Sequence, residues 1–318
     1  MQSFCWVKMS KNNSIKIGTR GSKLALTQSS MIREMIMRQH PEIKVELVII
    51  KTKGDKIIDS PLSKIGGKGL FVKEIEEALL DKSVDIAVHS IKDVPAELPY
   101  GLSIPFYPER ENPADALLSI KYKRFHDLPK SARVGTGSLR RSSQLLNKRP
   151  DLEIVAIRGN VDTRIKRLES GEFDAIILAA AGLNRLGLSS KITELLSPPK
   201  YIPAVGQGAL GIEVRTDDRE VNSLLEFLNH NETALAVRAE RAFLHRLEGG
   251  CQVPLGAYAF IDKDRIVIHG MVSELDGCMV IRDSLTGSIE QPEQVGETLA
   301  ARLLAMGADK ILAEIYGS

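Results

Sequence analysis

The feature that most constrains the fold of this chain is an internal duplication in its first two thirds. Three short segments recur in the same order: residues 18–22 (GTRGS) with 134–138 (VGTGS), 41–45 (PEIKV) with 150–154 (PDLEI), and 84–88 (VDIAV) with 173–177 (FDAII). The paired segments lie 116, 109 and 89 residues apart. One such match is common by chance, but three in order favour a duplicated β-α-β-α-β lobe.

Two such lobes predict an α/β fold with doubly wound, parallel-rich sheets. Each of the two loops that open the lobes places a serine, backbone amides and an arginine at a helix N-terminus, with Ser22 as the N-cap of the first helix. Ligands of open α/β sheets bind at the carboxyl ends of strands, so we expect an anion site in a cleft between the lobes. Connectors rich in Pro and Gly, at 105–113 and 198–208, predict two crossings that let the lobes hinge.

The last part of the chain has a different pattern and predicts a small α+β domain. A helix begins at Asn231, strands are expected over 253–260 and 265–271 and near Val280, and a further helix contains Val295. A length of 318 residues suits two or three domains. The predicted division is an N-terminal extension at 1–14, a first domain at 15–108 with 209–226, a second at 114–202, and a third at 231–318.

The charge of the chain is unevenly distributed. The total of 43 Lys and Arg against 41 Asp and Glu gives +2, but 140–167 alone carries eight basic and three acidic residues. A basic segment in a near-neutral protein indicates a bound small anion more than nucleic acid, and 5% aromatic residues offer few surfaces for base stacking.

Six arginines are the strongest candidates for the anion site, because they fall in or near predicted strand-end loops: Arg20, Arg140, Arg141, Arg158, Arg164 and Arg185. Guanidinium groups bind carboxylates through two parallel hydrogen bonds. Each arginine taken singly is equally well explained as a solvated surface charge. Together they indicate a small molecule with several negative charges.

No apolar run approaches the roughly 20 residues of a membrane span, and no signal peptide is recognisable, so we expect a cytoplasmic protein. The cysteines, Cys5, Cys251 and Cys278, are odd in number and form no C-x-x-C pair, which argues against a disulfide framework and a metal site. Cys251 is either a small buried side chain or a special thiol. The two preceding glycines weaken the first interpretation. A thiol at a helix C-terminus would need a strongly electrophilic partner.

Two further segments carry candidate chemistry. Residues 89–95 (HSIKDVP) follow a predicted strand, where Asp93 could protonate or stabilise a cationic intermediate beside Lys92; a surface turn is the alternative. Residues 64–71 (KIGGKGLF) combine three glycines with Lys64, Lys68 and Phe71, which suits either a mobile lid over the cleft or a plain loop.

Six ordered motifs together resemble the porphobilinogen deaminases, also called hydroxymethylbilane synthases. They are 18–26 (GTRGSKLAL), 89–95 (HSIKDVP), 135–141 (GTGSLRR), 158–161 (RGNV), 206–208 (GQG) and 248–254 (EGGCQVP). The likeness extends from about residue 15 to about residue 316. It implies three domains, the first two similar to type II periplasmic binding proteins. It also implies a monomeric transferase of porphyrin and heme biosynthesis that joins four porphobilinogen molecules, releasing ammonia, and frees linear hydroxymethylbilane by hydrolysis.

The resemblance also implies roles for individual residues. Cys251 would carry a dipyrromethane cofactor through a thioether, as primer for the growing polypyrrole chain, and Asp93 would assist deamination with Lys92 beside it. The residues implied to hold the cofactor are Ser90, Lys92, Asp93, Thr136, Ser138, Arg140, Arg141 and Gly208. Those implied to take substrate carboxylates are Arg20, Ser22, Arg158, Arg164 and Arg185. A primer of two rings with four added rings brings twelve carboxylates into one cleft, which accounts for the many cations.

Two alternatives and two departures accompany this interpretation. A non-catalytic binder of small polycarboxylates fits the lobes and arginines, but not the Gly-Gly-Cys loop or the third domain. A nucleic-acid-binding protein would show steep salt dependence.

Gly137 stands where many members of the family have serine, so we expect the backbone to supply one cofactor hydrogen bond. Residues 1–14 lie outside the likeness, and Met9 is a possible start.

Overall fold

The computed structural model describes residues 13–56, 72–247 and 253–317. The first lobe begins with β1 (Ser14–Thr19), α1 (Lys23–Gln39), β2 (Lys44–Ile49), α2 (Lys53–Lys56), α3 (Lys73–Leu80), β3 (Ile86–Ser90) and β4 (Leu102–Phe106). The second lobe contains β5 (Asp115–Leu118), β6 (Arg133–Gly135), α4 (Leu139–Lys148), β7 (Glu153–Val155), α5 (Val161–Glu169), β8 (Ala175–Ala179), α6 (Ala180–Arg185) and β9 (Glu194–Leu196).

The chain then returns to the first lobe and ends in a third unit. The return contributes β10 (Leu210–Arg215) and α7 (Arg219–Leu225). The last unit contains α8 (Asn231–Arg246), β11 (Leu255–Asp262), β12 (Arg265–Ser273), β13 (Val280–Ser288), α9 (Pro292–Leu303) and α10 (Asp309–Gly317).

The two lobes share one sheet topology, which confirms the duplicated α/β architecture. The strand order is β2-β1-β3-β10-β4 in the first sheet and β7-β6-β8-β5-β9 in the second. The leading strands of each sheet pair in parallel, whereas β10 and β5 run antiparallel to both of their neighbours. The sheets are therefore mixed. Each lobe is completed by an antiparallel strand next to a crossing of the chain between the lobes.

The sequence echoes mark equivalent points of the two lobes. The strands β2 and β7 begin 109 residues apart, and β3 and β8 begin 89 residues apart, as the echoes do. The side chain of Ser22 accepts a hydrogen bond from the backbone N–H of Ala25 at 3.3 Å, and Ser138 accepts one from Arg141 at 3.5 Å. Each serine caps the first helix of its lobe, because its oxygen satisfies an N–H that the helix leaves unpaired.

The two crossings between the lobes touch each other at Gly208. This residue has φ of +91°, and a Cβ here would lie 2.2 Å from the carbonyl oxygen of Glu111 on the other crossing. Gly206, at φ +69°, packs in the same way on Ile91, where a Cβ would lie 2.2 Å from Cγ2. Only glycine allows both the backbone conformation and the close approach. The second crossing is thereby held against the first crossing and against the end of β3.

The third unit is an antiparallel sheet, β11-β12-β13, with helices packed on one face. It is fastened to the crossings by a buried ion pair between Arg110 and Glu240, with Nη1 and Oε1 2.6 Å apart. The same carboxylate accepts backbone N–H groups from Gly206 at 2.6 Å and Ala259 at 2.7 Å. A charge buried in this way is stable because every oxygen is hydrogen-bonded.

Two features are absent from the described residues. None of the helices in 13–56, 72–247 and 253–317 is long and apolar enough to cross a membrane. Within the same ranges, no group of three His, Cys, Asp or Glu side chains is arranged to hold a metal ion.

Candidate active site

The turn that follows β3 carries the predicted acid–base pair. Ser90 ends the strand, and Ile91–Asp93 form a single 3-10 turn. The buried side chain of Ile91 anchors this turn, and the backbone N–H of Ile91 donates to the carbonyl of Ala209 at 3.1 Å. Lys92 is half-buried and Asp93 is exposed. The structure therefore confirms the predicted location of these polar residues, directly after a strand.

Lys92 lies within electrostatic range of the second lobe. Burial lowers the pKa of Lys92 to about 8, and the neighbouring charge of Asp93 opposes this shift. Smaller contributions to the pKa come from Arg141, Asp115 and Arg140, all of them on the second lobe. The turn of the first lobe therefore faces the N-terminal end of α4 across the cleft.

The centre of the second-lobe site is Asp115, a residue that the sequence analysis did not select. It is 3% exposed and accepts hydrogen bonds from Arg140 Nη1 at 2.8 Å, Arg141 Nε at 2.9 Å and Gln207 Nε2 at 2.9 Å. Burial by itself would raise the pKa of Asp115, but the two guanidinium groups hold it well below its ordinary value. Asp115 could have been selected from the sequence by its position at the start of β5, directly after the first crossing.

This ion-pair cluster changes the expected behaviour of Arg140 and Arg141. Both are buried, and their remaining contacts include the carbonyls of Ile202, at 2.7 Å from Arg140 Nη1, and Ile177, at 3.0 Å from Arg141 Nη1. The Nε of Arg140 is buried and has no acceptor. The two arginines are therefore fixed at the floor of the site, and one N–H donor remains unsatisfied there.

Two hydroxyl groups lie at the same helix N-terminus. Thr136 Oγ1 accepts from the N–H of Ser138 at 3.2 Å, and Ser138 caps α4. Each hydroxyl accepts a backbone N–H and keeps its own hydrogen to donate to an anion. Between them, a Cβ at Gly137 would lie 3.1 Å from the carbonyl oxygen of Ile157, which is tighter than ordinary contact. Glycine therefore fits this position with less strain than serine.

Arg158 and Arg164 border the same volume. The pKa of Arg164 is lowered to about 10, mainly by burial and also by the charges of Arg141 and Arg158, while the charge of Asp93 opposes the shift. The Nε of Arg164 donates to the carbonyl of Gly159 at 2.7 Å. Like charges brought together in a poorly solvated place favour binding of an anion, because an anion removes their mutual repulsion.

The remaining predicted site residues are Arg185 and those of the loop between β1 and α1. The Nη2 of Arg185 donates to the carbonyl of Gly208 at 2.7 Å, and its Nε is buried with no acceptor. Arg20 follows β1 and is half-buried, and Ser22 begins α1. Lys23 Nζ lies 4.0 Å from Asp162 on α5, so this loop reaches the second lobe. Cys251 and the lid candidates Lys64, Lys68 and Phe71 lie outside the described residues.

The arrangement is suited to a ligand with several carboxylates. Cationic side chains from both lobes lie within electrostatic range of the exposed Asp93 carboxyl group, Lys92 from the first lobe and Arg164 from the second, and buried N–H donors of Arg140 and Arg185 have no acceptor. A buried donor left unpaired costs about 1–3 kcal/mol, which a ligand oxygen would recover. The residues thus fit a polycarboxylate cofactor. The fold and site define a two-lobed α/β protein with a cationic cleft that contains an exposed carboxyl group.

Comparison with known proteins gives the family. Residues 15–223 match the model described as porphobilinogen deaminase, dipyromethane cofactor binding domain, and 234–305 match its C-terminal domain. The porphobilinogen deaminase of Nitratidesulfovibrio vulgaris (strain Miyazaki F) is 54% identical over 95% of this chain and 97% of its own, and that of Maridesulfovibrio salexigens is 54% identical over 95% and 98%. The chain belongs to the porphobilinogen deaminase family, as the sequence motifs predicted.

Solved structures described as binding proteins also match. A nutrient binding protein from Burkholderia cenocepacia, bound to methionine, is 14% identical, and the match covers 73% of this chain and 95% of that one with a TM-score of 0.42. The assignment of two equivalent lobes in this chain rests on the shared strand orders.

Proposed function

We propose that this protein is a transferase that joins four porphobilinogen molecules head to tail, releases one ammonia at each step, and frees hydroxymethylbilane by hydrolysis. The observation that carries the proposal is the convergence of Asp93 with the cations of both lobes in one cleft, in a chain of this family. Porphobilinogen carries an acetate, a propionate and an aminomethyl group. The cations suit the two carboxylates, and the carboxyl group suits the cationic centre.

Asp93 would act where positive charge develops. As the C–N bond of the aminomethyl group breaks, ammonia leaves with the electron pair and the pyrrole becomes electron-deficient. An ionised carboxyl group beside the pyrrole N–H stabilises that charge, and it does so more strongly where water is scarce. Asp93 would then accept the proton that the attacking pyrrole carbon loses as the new carbon–carbon bond forms.

The family model names a dipyrromethane cofactor. When bound, this group supplies the terminal pyrrole to which the first substrate is joined. Ser90, Lys92, Asp93, Thr136, Ser138, Arg140, Arg141 and Gly208 are the residues that we propose hold it. Asp115 fixes the guanidinium groups of Arg140 and Arg141, so their positive charge is in place before the ligand arrives. Arg20, Ser22, Arg158, Arg164 and Arg185 are the residues that we propose bind the carboxylates of the substrate and of the growing chain.

Intact mass of the purified protein tests the covalent attachment that we propose at Cys251. The protein should be heavier than its sequence by one dipyrromethane, and Cys251→Ser should lack this excess because the hydroxyl does not replace the thiolate. Cys278→Ser is the matched control, since Cys278 is exposed and distant in sequence from the Gly-Gly-Cys loop, and it should keep the excess mass. An unmodified wild-type mass together with no consumption of porphobilinogen would refute the proposed function.

Arg164→Gln tests the carboxylate-binding role. One charge-assisted hydrogen bond contributes about 1.5–3 kcal/mol, so kcat/KM for porphobilinogen should fall roughly 10- to 100-fold. Arg167→Gln is the control, because Arg167 lies on the same helix, is partly exposed and pairs with Glu172 beyond the end of the helix, and it should stay within about twofold of wild type. Equal effects of the two substitutions would show that Arg164 does not contact the substrate.

We also propose that the protein acts in the cytoplasm and as a monomer. The support is the family resemblance of the motifs. Sedimentation of the purified holoenzyme at micromolar concentration should give a single species of about 35 kDa, the mass of one chain.

A further inference from the structure

A buried polar cluster, with no part in the chemistry above, lies between the first-lobe sheet and α3. Ile86 and Val88 of β3 pack with Ile212 and Val214 of β10 on the face that carries α1 and α7. Side chains alternate along a strand, so His89 and Glu213 point to the opposite face. On that face Ala87 packs with Ile75 and Leu79 of α3.

His89 and Glu213 are in direct contact there. His89 Nε2 lies 2.8 Å from Glu213 Oε2, and the side chains are 5% and 1% exposed. The second oxygen, Glu213 Oε1, is buried and has no hydrogen-bond partner. Such an atom costs free energy unless the group shares its charge or proton with neighbours, because neither water nor a donor satisfies it.

Glu76 of α3 is the third member, and it is 8% exposed. The pKa of Glu76 is raised to about 7, mainly by burial, with further contributions from the charges of Glu213 and Glu77, while His89 opposes the shift. From α8, Arg241 lies within electrostatic range of Glu213. These are the charged groups that bear on the cluster from α3, β3, β10 and α8.

The cluster lies at the base of the turn that carries Lys92 and Asp93. His89 pairs with Gly211, and the next residue, Ser90, pairs with Leu210, at the last positions before the turn. On the far side of the turn, Arg241 Nη2 donates to the carbonyls of Pro95 at 2.8 Å and Ala96 at 3.0 Å. A displacement of His89 is therefore transmitted to Asp93 through a few residues of fixed backbone.

We propose that Glu76, His89 and Glu213 are positioning residues for the Ile91–Asp93 turn, and that this buried cluster is stable while Glu76 keeps its proton. The proposal rests on the proposed function only where turnover is the readout. Loss of the proton of Glu76 adds a second carboxylate charge to a poorly solvated space beside the base of the turn. The two carboxylates of Glu76 and Glu213 then repel each other and loosen the end of β3.

The sign of the pH effect follows from the raised pKa of Glu76. The folded state keeps the proton on Glu76 up to pH of about 7, whereas an unfolded glutamate loses it near its ordinary value of about 4.3. Over this interval the folded state binds more protons than the unfolded state, so the free energy of unfolding falls as pH rises. Above pH of about 7 both states are deprotonated at this position, and the contribution is constant.

The experiment uses the holoenzyme and two isosteric variants, Glu76→Gln and Glu213→Gln, with the exposed neighbour Glu77→Gln as control. Thermal midpoints, kcat and KM are measured between pH 5 and 9. Glu76→Gln should lose the part of the midpoint decline that spans pH 5–7. Glu213→Gln should move that decline to lower pH, because one repelling charge is gone. Glu77→Gln should keep the wild-type shape.

Turnover separates positioning from stability alone. In Glu213→Gln, kcat should fall by up to about 100-fold, the loss expected for a misplacement of about 1 Å, while KM stays constant because the substrate carboxylates are bound elsewhere. In Glu76→Gln the decline of kcat above neutral pH should disappear. Hydrogen exchange of wild-type residues 86–93, corrected for intrinsic rates, should be faster at pH 8 than at pH 6, and this measurement needs no variant.

Three results would overturn the proposal. A midpoint profile in Glu76→Gln that matches wild type would show that Glu76 does not hold the proton. Altered midpoints with an unchanged kcat profile in both variants, or pH-independent exchange at 86–93, would show a structural role without positioning. The midpoint and exchange measurements require no porphobilinogen, so failure of the proposed function would be seen separately.

Discussion

Asp93→Ala should lower kcat for porphobilinogen by about 10²- to 10⁴-fold while the dipyrromethane that we propose at Cys251 stays in place. This is the usual contribution of a positioned acid–base group, and in the described part of the cleft Asp93 is the exposed carboxyl group that faces Lys92 and Arg164. Without it, the positive charge of the deaminated pyrrole meets only cations. Single-turnover kinetics, with intact mass to verify the cofactor, measures the effect.

The conservative variant Asp93→Glu sharpens this test. It keeps the charge but moves the carboxyl group by one methylene, so activity should be intermediate between wild type and Asp93→Ala. Binding of porphobilinogen should survive in both variants, because the arginines remain. Near-normal turnover in Asp93→Ala would remove Asp93 from the mechanism.

The second large effect concerns Asp115, which should be needed for both stability and cofactor retention. Asp115→Asn removes the charge that Arg140 and Arg141 share, and it leaves two guanidinium groups buried without a counter-ion. Breaking a buried ion pair by removing one partner costs about 3–5 kcal/mol. Denaturant unfolding should show a loss of this size, and intact mass should show protein without dipyrromethane.

A surface ion pair from the same lobe provides the control. Arg149 and Asp151 are 2.7 Å apart and partly exposed to solvent. Asp151→Asn should therefore cost only about 0–1 kcal/mol and should leave the cofactor bound. If Asp115→Asn were as stable as Asp151→Asn and carried a full complement of dipyrromethane, the cluster around Asp115 would not organise the site.

Much of the fold could be predicted because its determinants are local. The echoes at 109 and 89 residues mark the starts of equivalent strands, and Ser22 and Ser138 cap equivalent helices. Strand starts and helix caps depend on a few neighbouring residues, which a single sequence displays. The prediction of parallel-rich sheets was incomplete in one respect. The antiparallel strands β5 and β10 enter at the crossings, and local patterns do not give strand direction.

The candidate site was only partly predictable. The motif 89–95 was expected at a strand end, and the structure has Lys92 and Asp93 there. The burial of Arg140 and Arg141, and the electrostatic coupling of Arg158 and Arg164 with Asp93, could not be derived from spacing. The roles of Cys251 and of the lid candidates stay predictions.

The sequence by itself determined the duplicated lobes, the helix starts and the family, since each depends on short patterns of residues along the chain. Only the tertiary structure decided which charges act together. Asp115 meets Arg140 across 25 residues and Gln207 across 92, and His89 meets Glu213 across 124. Such contacts form because the chain crosses twice between lobes and excludes water from the junction. In that environment the packing of the folded chain, rather than position in the sequence, decides which charged groups become partners.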